Sequence, residues 1–373
     1  MTPLSIIKKL LNRVLKKNIK NLSIPELQDY LVSVGQPKYR AKQIFQNIFV
    51  QHAETFDKIA IIPKSLREKL SNDFDIFSFA SSKSQHSSDG TIKFLFGLKD
   101  GSAIESVLIP CEYTDEEKRN RRTLCVSSQA GCALNCTFCA TGKLKFKRNL
   151  TVSEIVDQVL AVEKQIGKKL TNIVFMGMGE PLLNYDNVKK AVEIFTNTEF
   201  QLIKKKKITV STAGVIPKII QLADDNLPVK LAVSLHATSQ ELRKKLMPSA
   251  EKWKFDKLIE SIEYYYKKTK TPVTFEYILF EGLNDRIEDI KRLAKLAKRV
   301  PTKINLIPFH TIEFTNPAGF ASELKPASKG KIQWFRKELL KLDVQSFQRT
   351  SSGLDIDAAC GQLALKSLQE NKQ

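Results

Sequence analysis

Three of the chain's six cysteines, Cys132, Cys136 and Cys139, fall within eight positions of the stretch GCALNCTFCATG. Clustered thiols are ligands for soft metals. A closed zinc site wants a fourth ligand, usually from a second C-x2-C or a His pair. Neither lies beside the triplet, and the four histidines are scattered. A [4Fe–4S] cluster has four irons, each wanting a terminal ligand. Three cysteines leave one iron open to a small molecule that offers an amino and a carboxylate group. S-adenosylmethionine offers both, and a reduced cluster can pass an electron to its sulfonium and cleave it to a 5′-deoxyadenosyl radical. Phe138, just before the third cysteine, fits the same spacing.

Further groups able to do chemistry stand at the ends of apolar runs. MGMGEP supplies Gly179, against which a ligand can lie, and Glu180, whose carboxylate can accept from an ammonium. VSTAG supplies Ser211, and VSLHA supplies Ser234, Leu235 and His236. NLIPFH ends at His310. Cys125 lies in LCVSSQ and Cys360 in DIDAACGQL, among small residues that suit a mobile segment. Taken alone, each of these two thiols reads as a small buried hydrophobe. Glu105, in IESVLIP, reads alone as a solvent-facing residue on a strand edge.

These residues need a frame. From residue 121 short apolar runs (TLCVSSQ, NIVFMGMGE, KITVSTAG, VKLAVSLHA, VTFEYILF, KINLIPFH) alternate with helical stretches such as TVSEIVDQVLAVEKQIG and IEDIKRLAKLAKRV. That alternation predicts a parallel sheet covered by helices. Six such units make a partial (β/α)6 TIM-like barrel, with chemistry on the loops after the strand C-termini. The fold class is thus α/β, with a small, mainly helical, basic N-terminal domain. The expected organisation is an RNA-binding accessory domain over 1–95, a β-hairpin and linker over 96–120, the barrel over 121–350, and a C-terminal segment over 351–373. IPELQDYLVSVG, QPKYRAKQIFQNIFV and IPKSLREKLSNDF predict helices. TIKFLFGLKDGSAIESVLIP predicts a hairpin turning at its KDG, and the charged CEYTDEEKRNRRT a loop.

The chain carries 60 Lys and Arg against 40 Asp and Glu, a formal +20. Such an excess attracts polyanions, and LIKKKKI and GKLKFKRN concentrate it. No apolar run is long enough for a membrane helix, and the opening lacks the apolar core of a signal peptide. Its lysine-rich start allows an amphipathic surface helix, with a solvated helix on the edge of the basic module as the plainer alternative. The expected location is cytoplasmic, where thiols stay reduced and a disulfide framework is not expected.

In order along the chain, CVSSQAGCALNCTFCATG, FMGMGEPLLN, STAGVIP, AVSLHA, LRKKLMP, EGLND and DIDAACGQL resemble the RlmN family of radical S-adenosylmethionine RNA methyltransferases. The resemblance runs from about Gly35 to Leu363. It implies a radical SAM barrel, a [4Fe–4S] cluster on Cys132, Cys136 and Cys139, and two S-adenosylmethionine molecules per turnover. Gly179, Glu180, Ser211, Ser234, Leu235 and His236 are implied contacts of that cosubstrate. His310 stands where such chains usually carry asparagine. Cys360 is implied to be methylated and then to carry the methyl-derived radical to C2 of an adenosine. Glu105 is the implied base, and Cys125 the resolving thiol that forms a transient disulfide with Cys360. The implied substrates are 23S rRNA, at the peptidyl-transferase centre, and adenosine 37 of some tRNAs. A flavodoxin- or ferredoxin-type electron donor and a monomer are expected. Cys111 has no implied role. Cfr-type methylation of C8 is the nearest alternative, against which Pro181 leans toward C2. An RNA-binding module with a structural cluster, and a radical enzyme acting on a protein or small molecule, are the other classes.

Overall fold

The computed structural model describes residues 16–109 and 121–365. The start of the lysine-rich opening, Cys111 and most of the charged loop around it, and the last eight residues lie outside the described residues.

The first part of the chain is helical. Helix α1 (Ile24–Ser33) starts at a capping box, in which Ser23 Oγ accepts from the Glu26 N–H and Glu26 Oε2 accepts from the Ser23 N–H. Helices α2 (Arg40–Phe49) and α3 (Lys64–Asp73) follow. Pro37 lies in the turn before α2, which begins three residues later than the sequence suggests. Leu27, Leu31, Ile44, Phe45, Ile48 and Leu70 form the inner faces. The module is fastened to the barrel by a buried ion pair, Lys20 Nζ to Asp157 Oδ1 at 2.6 Å.

One ten-stranded sheet runs through the rest, its strands in sequential order. β1 (Phe79–His86), β2 (Ile92–Leu98) and β3 (Ala103–Ile109) form an antiparallel meander that pairs with β4 (Thr123–Cys125). The predicted hairpin is β2–β3, turning at Gly101 with φ 81°. The 95/96 division drawn from sequence falls inside β2. From β4 onward the strands are parallel: β5 (Asn172–Phe175), β6 (Ile208–Thr212), β7 (Lys230–Ser234), β8 (Val273–Leu279) and β9 (Thr302–Pro308). These are the six predicted barrel strands. A seventh, β10 (Ser346–Gln348), continues the sheet beyond β9.

Helices α4 (Val152–Ile166), α5 (Tyr185–Thr196), α6 (Ile216–Asp224), α7 (Gln240–Leu246), α8 (Phe255–Thr269), α9 (Ile287–Ala297) and α10 (Lys329–Lys341) fill the crossovers. Their apolar faces pack on strands whose residues are almost wholly buried, among them Ile173, Leu231, Val233, Phe275 and Leu306. No helix among the described residues is long and apolar enough to cross a membrane. The strands of the barrel all point the same way, so their C-terminal ends gather at one rim.

Candidate active site at the C-terminal rim of the barrel

The cysteine loop leaves β4 and is built on backbone contacts. The Gln129–Ala130 strand pairs with Arg148–Asn149, closing the loop at its base. The Thr137 N–H donates to the Leu246 carbonyl at the end of α7, at 3.0 Å. Gly142 is required here, because a Cβ would stand 2.9 Å from the Cys136 carbonyl oxygen. Cys132, Cys136 and Cys139 line one cavity together with Gly179, Glu180, Ser211, Ser234, His236 and Cys360. Nine of the thirteen residues singled out from sequence thus share one cavity of about 140 Å³. Burial raises all three thiols of the triplet, Cys132 to about 12. Metal ligation reverses such a shift by replacing the proton. Among the described residues no three His, Cys, Asp or Glu side chains crowd round one point as a single ion requires. A cubane takes its thiolates at separate irons, so the donor set fits a cluster.

Glu180 is buried, and burial lifts its carboxyl to about 7. The N–H groups of Ala213, at 2.7 Å, and Leu182, at 3.0 Å, oppose that by donating to its two oxygens. Gly179 has φ 97°, and a Cβ there would lie 2.4 Å from Gln129 Cβ. His236 is held at φ 53° and accepts from the Ile278 N–H through Nδ1 at 3.1 Å. Its proton therefore sits on Nε2. Burial, and then Arg243, lower it to about 3, so the ring is a neutral donor at physiological pH. Leu235 stands outside the cavity lining. It is fully buried, gives its N–H to the Glu276 carbonyl at 3.0 Å, and lends its own carbonyl to Arg243. His310 also stands outside the lining, and its Nε2 engages Ser351 Oγ at 2.5 Å.

The C-terminal segment folds over this rim. Ala140 N–H donates to the Gly361 carbonyl at 2.7 Å, and Thr141 Oγ1 to the Leu363 carbonyl at 2.7 Å. These bonds lay Cys360 against the cysteine loop. The residue is exposed at the rim rather than buried in a core, and it lines the cavity. Burial of its sulfur raises this thiol, and Arg349 acts in the opposite sense. Cys125, at the end of β4, is buried and pushed up to about 12, chiefly by burial and then by the nearby Cys360.

Glu105 corrects the solvent-facing reading: it is 0% exposed. It stands on β3 outside the cavity lining, under the C-terminal segment. Its Oε2 accepts from the Leu365 N–H at 3.2 Å, and Lys93 Nζ lies 3.7 Å from Oε1. Burial raises its carboxyl, and Lys93 opposes the shift. Lys93 also donates to the Ile356 carbonyl at 2.5 Å. Lys93, Arg243, Glu276 and Arg349 are site residues that the sequence reading did not single out. Arg349 Nη1 lies 3.6 Å from Glu276 Oε2, and both line the cavity.

Comparisons with known proteins agree with this frame. Residues 126–297 match the Radical SAM superfamily, and residues 17–76 match the ribosomal RNA large subunit methyltransferase N-terminal domain. A probable dual-specificity RNA methyltransferase RlmN of Flavobacterium psychrophilum is 42% identical over 95% of this chain and 99% of its own length. A protein of the same description from Staphylococcus aureus is 41% identical over 95% of this chain and 94% of its own. The crystal structure of a radical SAM methyltransferase from Sphaerobacter thermophilus superposes with a TM-score of 0.85 at 38% identity, covering 93% of this chain and 99% of that one. With this coverage at both ends, and the cysteine loop and the Cys360 segment joined at one rim, the chain belongs to the RlmN family of radical S-adenosylmethionine methyltransferases.

Proposed function

We propose that the protein methylates C2 of an adenosine in 23S rRNA, at the peptidyl-transferase centre, and adenosine 37 of some tRNAs, through a methyl group first placed on Cys360. Adenine C2 is electron-poor and is not a nucleophile, so a polar methyl transfer from a sulfonium to that carbon has no driving partner. A carbon-centred radical can add there. Cys132, Cys136 and Cys139 would hold the cluster, with Gly179, Glu180, Ser211, Ser234, Leu235 and His236 around the cosubstrate. When bound, the cluster and S-adenosylmethionine supply a 5′-deoxyadenosyl radical that takes hydrogen from the S-methyl group of Cys360.

This chain's residues then have distinct tasks. Cys360 accepts the methyl group from a first S-adenosylmethionine, its thiolate favoured by Arg349 and its sulfur open to the cavity. Cys125 stays a buried thiol meanwhile, since the thiolate is the reactive form. Glu105, kept toward its carboxylate by Lys93, takes the C2 proton, and the one electron that must leave with it would return to the oxidised cluster. Cys125 releases the product by forming a disulfide with Cys360, which thiol exchange later reopens. The adenosine must leave its stack to reach a recessed rim, as for other enzymes acting on bases. The basic surface suits a folded RNA. The protein acts as a monomer in the cytoplasm and draws electrons from a flavodoxin- or ferredoxin-type donor.

The observation that supports this reading is the hydrogen bonding of the Cys360 segment to the cysteine loop, from the Ala140 N–H to the Gly361 carbonyl and from the Thr141 hydroxyl to the Leu363 carbonyl. The test is anaerobic reconstitution, incubation with S-adenosylmethionine and an unmethylated 23S rRNA fragment, and mapping of the modified carbon. Methyl at C2, with 5′-deoxyadenosine released and both lost in Cys136→Ala, is the expected result. Methyl at C8 would move the protein to the Cfr reaction, and a protein that binds RNA without releasing 5′-deoxyadenosine would refute the proposal.

A further inference from the structure

Arg243 is among the most deeply buried large side chains, 1% exposed, although it sits in the lysine-rich run of α7. Its guanidinium is turned inward onto the strand ends. Nη1 donates to the carbonyls of Ser234, at 2.8 Å, and Leu235, at 2.5 Å, and Nη2 to that of Ala213, at 2.7 Å. Those three carbonyls mark the C-terminal ends of β6 and β7. One turn further on, the Leu246 carbonyl receives both the N–H and the hydroxyl of Thr137, the residue after Cys136. The guanidinium is thus fixed at the strand ends, on carbonyls of Ala213 and Ser234, residues that line the cavity together with the triplet.

What it lacks is an anion. Among the described residues it forms no ion pair, and its buried Nε–H finds no acceptor. Burial weakens its charge, and among the described residues the ionisable group that favours that charge is the Cys136 thiol. Buried cations persist only where they are paired, since a buried charge without a counter-ion is strongly destabilising. Three carbonyl oxygens solvate the guanidinium but carry no net charge. Methionine or leucine would fill the same space without burying a charge, although the three carbonyls would lose that donor.

We propose that Arg243 is the fixed counter-charge of the cluster, a positioning residue that favours cluster binding and raises the cluster's reduction potential. Three thiolates outweigh the positive charge of a cubane core, and reduction adds one more negative charge. A guanidinium held rigidly beside Cys136 stabilises that added charge more than the oxidised form, which is how nearby charge tunes such centres. The same argument applies to the apoprotein in reverse: without its anion, Arg243 is a buried charge in want of a partner. The inference rests on the cluster reading of the triplet and is independent of which RNA carbon is methylated.

The test compares wild type, Arg243→Met and Arg243→Lys as apoproteins and after anaerobic reconstitution. Iron and sulfide content, thermal melting of both forms, and a redox titration followed by electron paramagnetic resonance are the readouts. In Arg243→Met the one-electron reduction equilibrium is expected to fall at least tenfold, about 59 mV toward the negative. The three lost carbonyl bonds weaken both forms alike, so the expected sign is a smaller rise in melting temperature on loading than wild type shows. A residue that merely ties strands together would instead lower both melts equally and leave the potential unmoved, which would overturn the proposal. If Arg243→Met yields no folded protein, Arg243→Lys decides. It keeps the charge but not the fork, so a potential within threefold of wild type alongside a lowered apoprotein melt supports the counter-charge, and a tenfold fall refutes it. Failure of wild type to take up a cluster at all would sink the cluster reading instead, a distinct outcome.

Discussion

Replacing Lys93 by methionine isolates the electrostatics of Glu105. Both side chains are nearly inaccessible, 5% and 1% exposed, and Lys93 Nζ lies 3.7 Å from Oε1. At an effective dielectric of 20 two unit charges at that separation attract by about 4 kcal/mol. Burial already raises the Glu105 carboxyl, and Lys93 is the largest influence that opposes it. Removing the cation therefore makes the carboxylate, the form able to take a proton, scarcer at neutral pH. Single-turnover methyl transfer at pH 7, started from protein already methylated on Cys360, is expected to fall at least tenfold. The loss should shrink as pH rises, because the midpoint of the rate profile moves upward. Stability follows the same linkage. A carboxyl whose folded value is raised favours folding below its unfolded value, and that contribution is lost as pH rises through the folded value. In Lys93→Met the loss extends further toward neutrality, so its melting temperature relative to wild type should fall as pH rises from the acid range. Lys93 also ties down the Ile356 carbonyl. A rate loss equal at every pH would assign the residue to holding the segment and refute the electrostatic reasoning.

Three other perturbations have sharp outcomes. Gly179→Ala forces a side chain onto a left-handed backbone at φ 97° and into Gln129, at a conformational cost of about 1–2 kcal/mol before the clash; equilibrium dialysis should show S-adenosylmethionine affinity down at least tenfold with far-ultraviolet circular dichroism unchanged. Lys20→Met leaves Asp157 buried without its partner and should cost about 3–5 kcal/mol in denaturant unfolding, whereas Lys20→Met with Asp157→Leu should recover most of that loss. Thr141→Val removes the donor to the Leu363 carbonyl, worth about 1 kcal/mol; alkylation of Cys360 in the apoprotein, followed by peptide mapping, should quicken about fivefold.

The legible parts of this protein are those written locally. The C-x3-C-x2-C spacing, the six apolar strands and the KDG hairpin each lie within a few residues of sequence. What escaped depends on distant chain meeting. Glu105 reads as an edge residue until β3 is placed between β2 and β4 and roofed by Leu365, 260 residues away. β10 is three residues long, with Phe347 and Gln348 exposed, too short and too wet to show a strand period. Arg243 stands beside Lys244 and Lys245, and nothing in ELRKKL separates the one cation that is buried from those that are solvated. His310 stands two residues past the end of β9 and turns to Ser351 instead of the cavity.

The accessory meander does more than extend the sheet. Asp89, at the tip of β1–β2, accepts from the Gly353 N–H at 2.8 Å, and Asp355 accepts from Ser87 at 2.5 Å and from the Ser88 N–H at 3.0 Å. Lys93 on β2 holds Ile356, and Glu105 on β3 holds Leu365. The cysteine loop grips the same segment between those points, at Gly361 and Leu363. The stretch bearing Cys360 is therefore anchored at both ends by the meander and in the middle by the barrel. Each anchor is one or two hydrogen bonds, individually worth about 1 kcal/mol, so the segment is positioned closely yet can be lifted one contact at a time. In the reaction proposed above, Cys360 would meet a cosubstrate, a nucleobase and Cys125 in turn; that calls for a mount that is accurate but not permanent, and tying it to two separate parts of the sheet meets both demands.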